Sequence, residues 1–226
     1  MNNIFDLIAQ NVILGRSDKN SEFIPEKVGE PGVKELIEKA LNECMDPSDI
    51  LHKGLLAGMD VVGIKFKNGE LFVPEVMISA DAFKSGMAIL EPHIADIEKS
   101  TIAKVVIGTV KGDLHDIGKN IVSLMFQGAH FSVVDLGVNV SSEIFIDAIK
   151  QQKPRILALS SLLTTTMVEM KNTIKAIDEA GLREQVIILV GGAPVTIDYA
   201  KTIGADGFAP DAAMAVDNAK QLLGIS

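Results

Sequence analysis

The sequence predicts an α/β fold in two parts. An N-terminal antiparallel four-helix bundle is followed by a five-stranded parallel sheet of the doubly wound, Rossmann-like or flavodoxin-like kind. Three observations carry this. Apolar residues recur at helical spacing in four stretches before residue 91. After residue 101, five short apolar runs alternate with amphipathic stretches. Between the two patterns lies a charged connector, Glu91–Thr101, that contains Pro92. Successive βα units imply a parallel sheet, and right-handed crossovers put helices on both of its faces. The expected domains are therefore 1–90 for the bundle, 91–101 for the linker and 102–226 for the α/β part.

The helices come first. Ile4, Phe5, Leu7, Ile8 and Val12 form a short apolar face. Residues 15–32 are polar and interrupted by Pro25 and Pro31, which marks a long loop, either an insertion or a mobile segment. Val33, Leu36, Ile37, Ala40, Leu41 and Cys44 follow the spacing of a second helix. Asp46-Pro47-Ser48-Asp49 opens the third: a capping residue, proline at the first helical position, and a carboxylate in the first turn. That helix carries Leu51, Leu55, Met59, Val62 and Phe66. Gly54 and Gly58 on it would let a neighbouring backbone come close. After a turn at Lys67-Asn68-Gly69-Glu70, the fourth helix carries Val76, Ala80, Phe83, Met87 and Leu90. Short connections between most of these helices suit an antiparallel bundle.

The strand candidates are 104–108, 131–135, 156–160, 186–190 and a weaker 206–208. Helical patterns fill 118–127, 141–151, 165–180, 195–203 and 211–223. No internal repeat or low-complexity segment interrupts the series.

Composition narrows the class of function. A chain of 226 residues is long enough to bury a full core without a staple. The single cysteine, Cys44, excludes an internal disulfide and fits a reducing compartment. No secretory signal opens the chain, and no stretch approaches the ~20 apolar residues of a membrane span. The net charge of −9, with no basic cluster, argues against nucleic acid and anionic membranes as partners. The expectation is a cytoplasmic protein that meets small molecules or other proteins.

Chemistry concentrates in Gly112-Asp113-Leu114-His115-Asp116-Ile117-Gly118, where the first strand hands over to a helix. In open α/β sheets, ligands bind at that carboxyl edge. An imidazole with a carboxylate two residues away can present a metal ligand already oriented by its partner. The other histidines, His52, His93 and His130, lie on helices or lead into a strand and read as ordinary surface or packed residues. Neither a G-x-G-x-x-G nor a G-x-x-x-x-G-K-[ST] sequence follows the first strand, so nucleotide-binding readings lack their signature. The third strand ends in a run of hydroxyls, Ser160-Ser161-Leu162-Leu163-Thr164-Thr165-Thr166. The fourth ends in Gly191-Gly192. Taken singly, both are ordinary βα turn chemistry. Small residues at both ends would also open a slot for a long ligand part.

Taken together, these stretches resemble a known family. Asp113-x-His115-x-x-Gly118, 41 residues, Ser160-x-Leu162, 28 residues and Gly191-Gly192 are similar to the D-x-H-x-x-G…S-x-L…G-G signature of cobalamin-binding proteins. The bundle agrees: Gly69-Glu70-Leu71-Phe72-Val73-Pro74-Glu75 and the helix after it resemble the cap of methionine synthase. They also resemble that of the corrinoid proteins in methanol, methylamine and betaine methyltransferase systems. The resemblance runs from about Val33 to the end. The 15–32 segment departs from a compact cap.

The resemblance implies a role for each matching residue. The cofactor would be cobalamin or a related corrinoid, as methylcobalamin or cob(I)alamin, bound with its own base detached. His115 would replace that base as lower axial ligand of cobalt. Asp113 would hold the far ring nitrogen, and Thr166, six after Ser160, would complete the relay. Ser160, Leu162, Gly191 and Gly192 would line the channel for the nucleotide tail, and Gly118 would let the helix start pack against it. Asp116, Ile117, Val138, Thr164 and the Pro210 loop would contact corrin or tail. Phe72, Met77 and Phe83 would shield the methyl-bearing upper face.

The implied function is that of a methyl carrier rather than a complete enzyme. It would take a methyl group from a substrate-specific methyltransferase and give it to a second methyltransferase acting on an acceptor such as tetrahydrofolate or a thiol. A reductive activase is a third partner the family allows. Rival readings are the cobalamin subunit of a carbon-skeleton mutase or aminomutase, a cobalamin-dependent regulator, and a flavodoxin- or receiver-like module. The mutase does not predict a helical cap, and the regulator needs an output domain.

Overall fold

The computed structural model describes residues 3–93 and 101–225. The chain divides into two compact units, Met1–Ser100 and Thr101–Ser226. Of the expected Glu91–Thr101 linker, Glu91–His93 forms a 3₁₀ turn after the last bundle helix, and 94–100 lies outside the described residues.

In the first unit, α1 (Ile4–Ile13) is capped by Asn3, whose Oδ1 accepts from Phe5 N. Helix α2 spans Val33–Asn42. Helix α3 (Pro47–Asp49) starts where Asp46 accepts from Ser48 N at 2.9 Å. It runs through a π-helical segment, Ile50–Leu56, into α4 (Ala57–Lys67). Helix α5 (Val73–Leu90) has Pro74 in its first turn, and Glu75 accepts from Phe72 N at 2.6 Å. Ile8, Val12, Ile37, Leu55, Val62 and Val76 are fully buried at the centre, each worth roughly 1.5–3 kcal/mol in removed apolar surface. Gly54 and Gly58 do admit a neighbour, and it is α1. A Cβ on Gly54 would stand 3.0 Å from the Ile8 side chain, and one on Gly58 2.9 Å from the Ala9 carbonyl.

The 15–32 loop is pinned from within rather than slack. Arg16 is 1% exposed. Its Nη2 donates to the carbonyls of Lys27 (2.6 Å) and Glu30 (2.8 Å), and its Nη1 to Asn11 Oδ1 (2.8 Å) and the Pro31 carbonyl (3.4 Å). One buried guanidinium thus takes up the main-chain oxygens that a loop without regular structure would leave to water. In sequence, an arginine amid polar residues looks like surface, and only the fold shows it buried.

In the second unit, strands β1 (Lys104–Thr109), β2 (Ser132–Asp135), β3 (Ile156–Ser160), β4 (Ile187–Gly191) and β5 (Gly207–Ala209) form one sheet in the order β2-β1-β3-β4-β5. Every pairing is parallel. This is the flavodoxin-like order, which settles the choice between the two doubly wound types. Helices α6 (Ile117–Gly128) and α10 (Ala212–Leu222) pack together on one face. Helices α7 (Ser142–Gln152), α8 (Met167–Glu179) and α9 (Ile197–Thr202) share the core of the other with Val106, Leu157 and Ile188. Among the described residues, no helix is long and apolar enough to cross a membrane.

The register positions the site. Thr109 at the end of β1 pairs with Ser160 at the end of β3, which pairs with Gly191 at the end of β4. Three stretches far apart in sequence therefore leave the sheet side by side. The chain turns back across β1 to reach β3, so the strand order reverses there and a crevice opens.

Candidate functional site

The β1–α6 loop is built to turn one side chain in and the next one out. Thr109, fully buried, donates through Oγ1 to the His115 carbonyl at 2.9 Å and ties the loop to its own strand. The loop after β2 braces it from the side: Gly112 N donates to Asn139 Oδ1 at 2.8 Å, and Asn139 N donates to the Asp113 carbonyl at 3.0 Å. Asp113 then points inward with no exposure, while the His115 side chain stands half exposed.

Asp113 is held at both oxygens. Its Oδ1 lies 2.7 Å from His115 Nδ1 and accepts from His115 N at 3.1 Å. Its Oδ2 accepts from Thr166 Oγ1 at 2.7 Å and from the amides of Leu162 (2.8 Å) and Leu163 (3.2 Å). Ser161 Oγ stands 3.4 Å away. Burial works to raise the pKa of this carboxyl. The hydrogen bonds from the Thr166 side chain, the His115 side chain and backbone, and the Leu162 amide outweigh it and hold the group well below the usual carboxylate range. An ionised carboxylate only accepts, so Nδ1 carries the proton in this contact, and Nε2 is the ring nitrogen turned away from Asp113.

The remaining predicted residues fall into three groups. Asp116, Ile117, Gly118, Leu162, Thr164 and Pro210 are exposed at or next to the carboxyl edge, and Ser160 and Val138 are half-buried there. Asp116 sits just before α6 and its side chain accepts from Asn120 Nδ2 at 3.1 Å. Gly191 and Gly192 also face protein: a Cβ on Gly191 would stand 3.1 Å from the Ala209 carbonyl. One on Gly192 would fall 1.9 Å from the Ser161 carbonyl, at a φ of +130° that L residues rarely adopt. The second glycine is thus required by the strand-end packing whatever lies beyond. In the helical unit, Phe72 and Met77 are exposed, but Phe83 is 6% exposed. Phe83 lies on the face of α5 that buries Val76, Ala80 and Leu90, unlike the exposed Phe72 and Met77. Thr109, Asn139, Ser161 and Leu163 were missed. Ser161 alone had a signal, as part of the hydroxyl run.

The surroundings tell what the imidazole can meet. Leu114 and Ile117 are 71% and 65% exposed, and Leu162 and Leu163 are also uncovered. A Cβ on Gly118 would meet nothing within 4 Å, so the missing side chain leaves open space rather than serving a neighbour. Among the described residues, no group of three or more His, Cys, Asp or Glu could hold a metal ion by itself. The fold and site therefore define a class: a flavodoxin-like domain whose carboxyl edge presents one oriented, half-exposed histidine.

Comparison with known proteins gives the family. Two models described as B12 binding domain match residues 103–217 and 28–91. A corrinoid protein of Desulfitobacterium hafniense is 45% identical over 195 residues, 85% of this chain and 90% of that protein. A dimethylamine corrinoid protein of Methanosarcina barkeri is 45% identical over 189 residues, 83% and 88% of the two chains. Among solved structures, the methanol:cobalamin methyltransferase complex MtaBC of Methanosarcina barkeri superposes with a TM-score of 0.82 at 29% identity. That match covers 99% of this chain and 80% of that one. The chain belongs to the B12-binding corrinoid proteins of methyltransferase systems, and its cofactor is a corrinoid.

Proposed function

We propose that this chain is a methyl carrier that binds its corrinoid with the base detached and His115 as the lower axial ligand. The observation that carries this is the 2.7 Å contact between Asp113 and His115 Nδ1, which leaves Nε2 as the outward donor. The bound corrinoid supplies the cobalt that takes up and gives away the methyl group. The protein's part is orientation: Asp113 fixes the ring and its tautomer, and Thr166 fixes Asp113. Ser160, Leu162, Gly191 and Gly192 would flank the detached tail at the β3 and β4 ends, with Gly118 opposite. Phe72 and Met77, exposed at the start of α5, would shelter the upper face.

The partners would be a substrate-specific methyltransferase that loads the carrier and a second one that unloads it to tetrahydrofolate or a thiol. A reductive activase would restore oxidised cofactor. The solved relative that pairs a corrinoid protein with a methyltransferase supports the first of these.

The test is the ligand nitrogen. Full-length protein carrying histidine labelled with heavy nitrogen is loaded with cobalamin and reduced to cobalt(II). Its electron paramagnetic resonance spectrum should show coupling to the labelled nucleus. His115→Ala should lose that coupling. Coupling that survives the substitution would put the ligand elsewhere.

A further inference from the structure

The Asp113 cluster holds one hydroxyl more than the orientation of His115 requires. Ser161 is fully buried. Its backbone is fixed on two sides: N donates to the Gly191 carbonyl at 3.2 Å, and the missing side chain of Gly192 makes room for its carbonyl. Its Oγ is thereby aimed into the cluster. It lies 2.8 Å from Thr166 Oγ1, 3.2 Å from the Leu163 carbonyl and 3.4 Å from Asp113 Oδ2.

Two hydroxyls share these acceptors. Thr166 can give its proton to Asp113 Oδ2 at 2.7 Å or to the Leu163 carbonyl at 3.0 Å. The shortest arrangement is a chain in which Ser161 donates to Thr166 and Thr166 donates to Asp113. In such a chain each bond polarises the next, so Thr166 becomes a stronger donor than it would be alone. Ser161 also fills the lone pair that a buried Thr166 would otherwise leave without a partner.

We propose that Ser161 is a positioning residue that acts through Thr166 to set how strongly His115 binds cobalt. This rests on the reading of His115 as lower ligand. A strong donor on Oδ2 draws negative charge away from Oδ1. Oδ1 then accepts less strongly from His115 Nδ1, and the ring donates less at Nε2. Ser161 therefore moderates the ligand that Asp113 strengthens.

The experiment uses full-length protein loaded with cobalamin, as the parent, Ser161→Ala, Thr166→Val and the double variant. Two quantities are read at one pH: the histidine nitrogen coupling of the cobalt(II) form and the cobalt(II)/cobalt(I) midpoint potential. Ser161→Ala should favour the histidine-bound form by less than about fivefold, because only part of the effect of one hydroxyl hydrogen bond passes through Thr166. The potential should become more negative and the coupling larger. Thr166→Val should move both further in the same direction. Adding Ser161→Ala to Thr166→Val should change nothing more, because the serine's effect passes through the threonine. Ser161→Cys, a weaker donor of similar size, should fall between parent and alanine. A parental potential in Ser161→Ala, or additive shifts in the double variant, would overturn the proposal. A parent without histidine coupling would instead overturn the ligand reading beneath it.

Discussion

Each half of the molecule holds a buried charge with several partners, Arg16 in one and Asp113 in the other, and the two are held in different ways. Arg16, in the helical unit, is surrounded by carbonyl oxygens and Asn11 Oδ1, and nearly all of its bonds hold the 15–32 loop and the end of α1. Asp113, in the α/β unit, gathers amides and hydroxyls from the β3 end on one oxygen. With the other it grips an imidazole that is half exposed. A buried charge bonded mainly to main-chain oxygens of its own loop fixes a shape. A buried charge with one partner at the surface also passes its electrostatic state to whatever that partner touches. The same physics, a desolvated ion answered by hydrogen bonds, gives scaffold in one unit and function in the other.

The comparison is broken most severely at Asp113. Asp113→Ala should cost about 3–5 kcal/mol, because buried donors that converged on a carboxylate lose it together. Urea unfolding measures this, and the same variant should lose the fixed histidine orientation in the cobalt(II) spectrum. Acid provides a gentler form of the same test. The folded pKa of Asp113 is depressed, so its contribution is complete above the unfolded value of about 3.9 and is lost as pH falls below it. Asp113→Asn should flatten that acid-side loss. An unchanged slope would mean other carboxylates carry the acid sensitivity.

Arg16 should come next in effect and differ in kind. Arg16→Met keeps the apolar stem but leaves the Lys27 and Glu30 carbonyls to water, and should cost about 2–4 kcal/mol. Amide exchange across 17–32 should rise, while corrinoid uptake and the cobalt spectrum stay parental. A changed spectrum would show that the two centres are coupled.

A charge pair in water sets the lower end of the scale. Lys53 Nζ stands 2.8 Å from Asp49 on an exposed helical face. Lys53→Ala should shift stability by about 1 kcal/mol or less, since it removes both this ion pair and the cation–π contact with the Phe5 ring. A larger loss in thermal melts would mean that exposure is a poor guide to a charge's weight in this chain.

The site was legible to the extent that its parts are local. Asp113 and His115 are two residues apart, so one loop suffices to suggest their contact. Thr166, six residues past Ser160, came from the resemblance, and its bond to Asp113 spans 53 positions. Ser161 and Asn139 escaped because a serine in a hydroxyl run and an asparagine in a turn are what any βα loop carries. Phe83 shows the opposite limit: an aromatic on a helix has no sign that tells a core face from a functional one.

Taken alone, the sequence determined the helices, the strands and where they end. Those depend on apolar spacing, proline, glycine and capping side chains within a few residues of each other. It also set the chemistry available at the carboxyl edge. The tertiary structure decided what those elements do to one another. It chose the β2-β1-β3-β4-β5 order, which lines up Thr109, Ser160 and Gly191. It drew Arg16 into the core and assembled the donors around Asp113. Burying a charge is costly unless partners converge on it from several segments, and only a closed fold brings those segments within hydrogen-bonding distance.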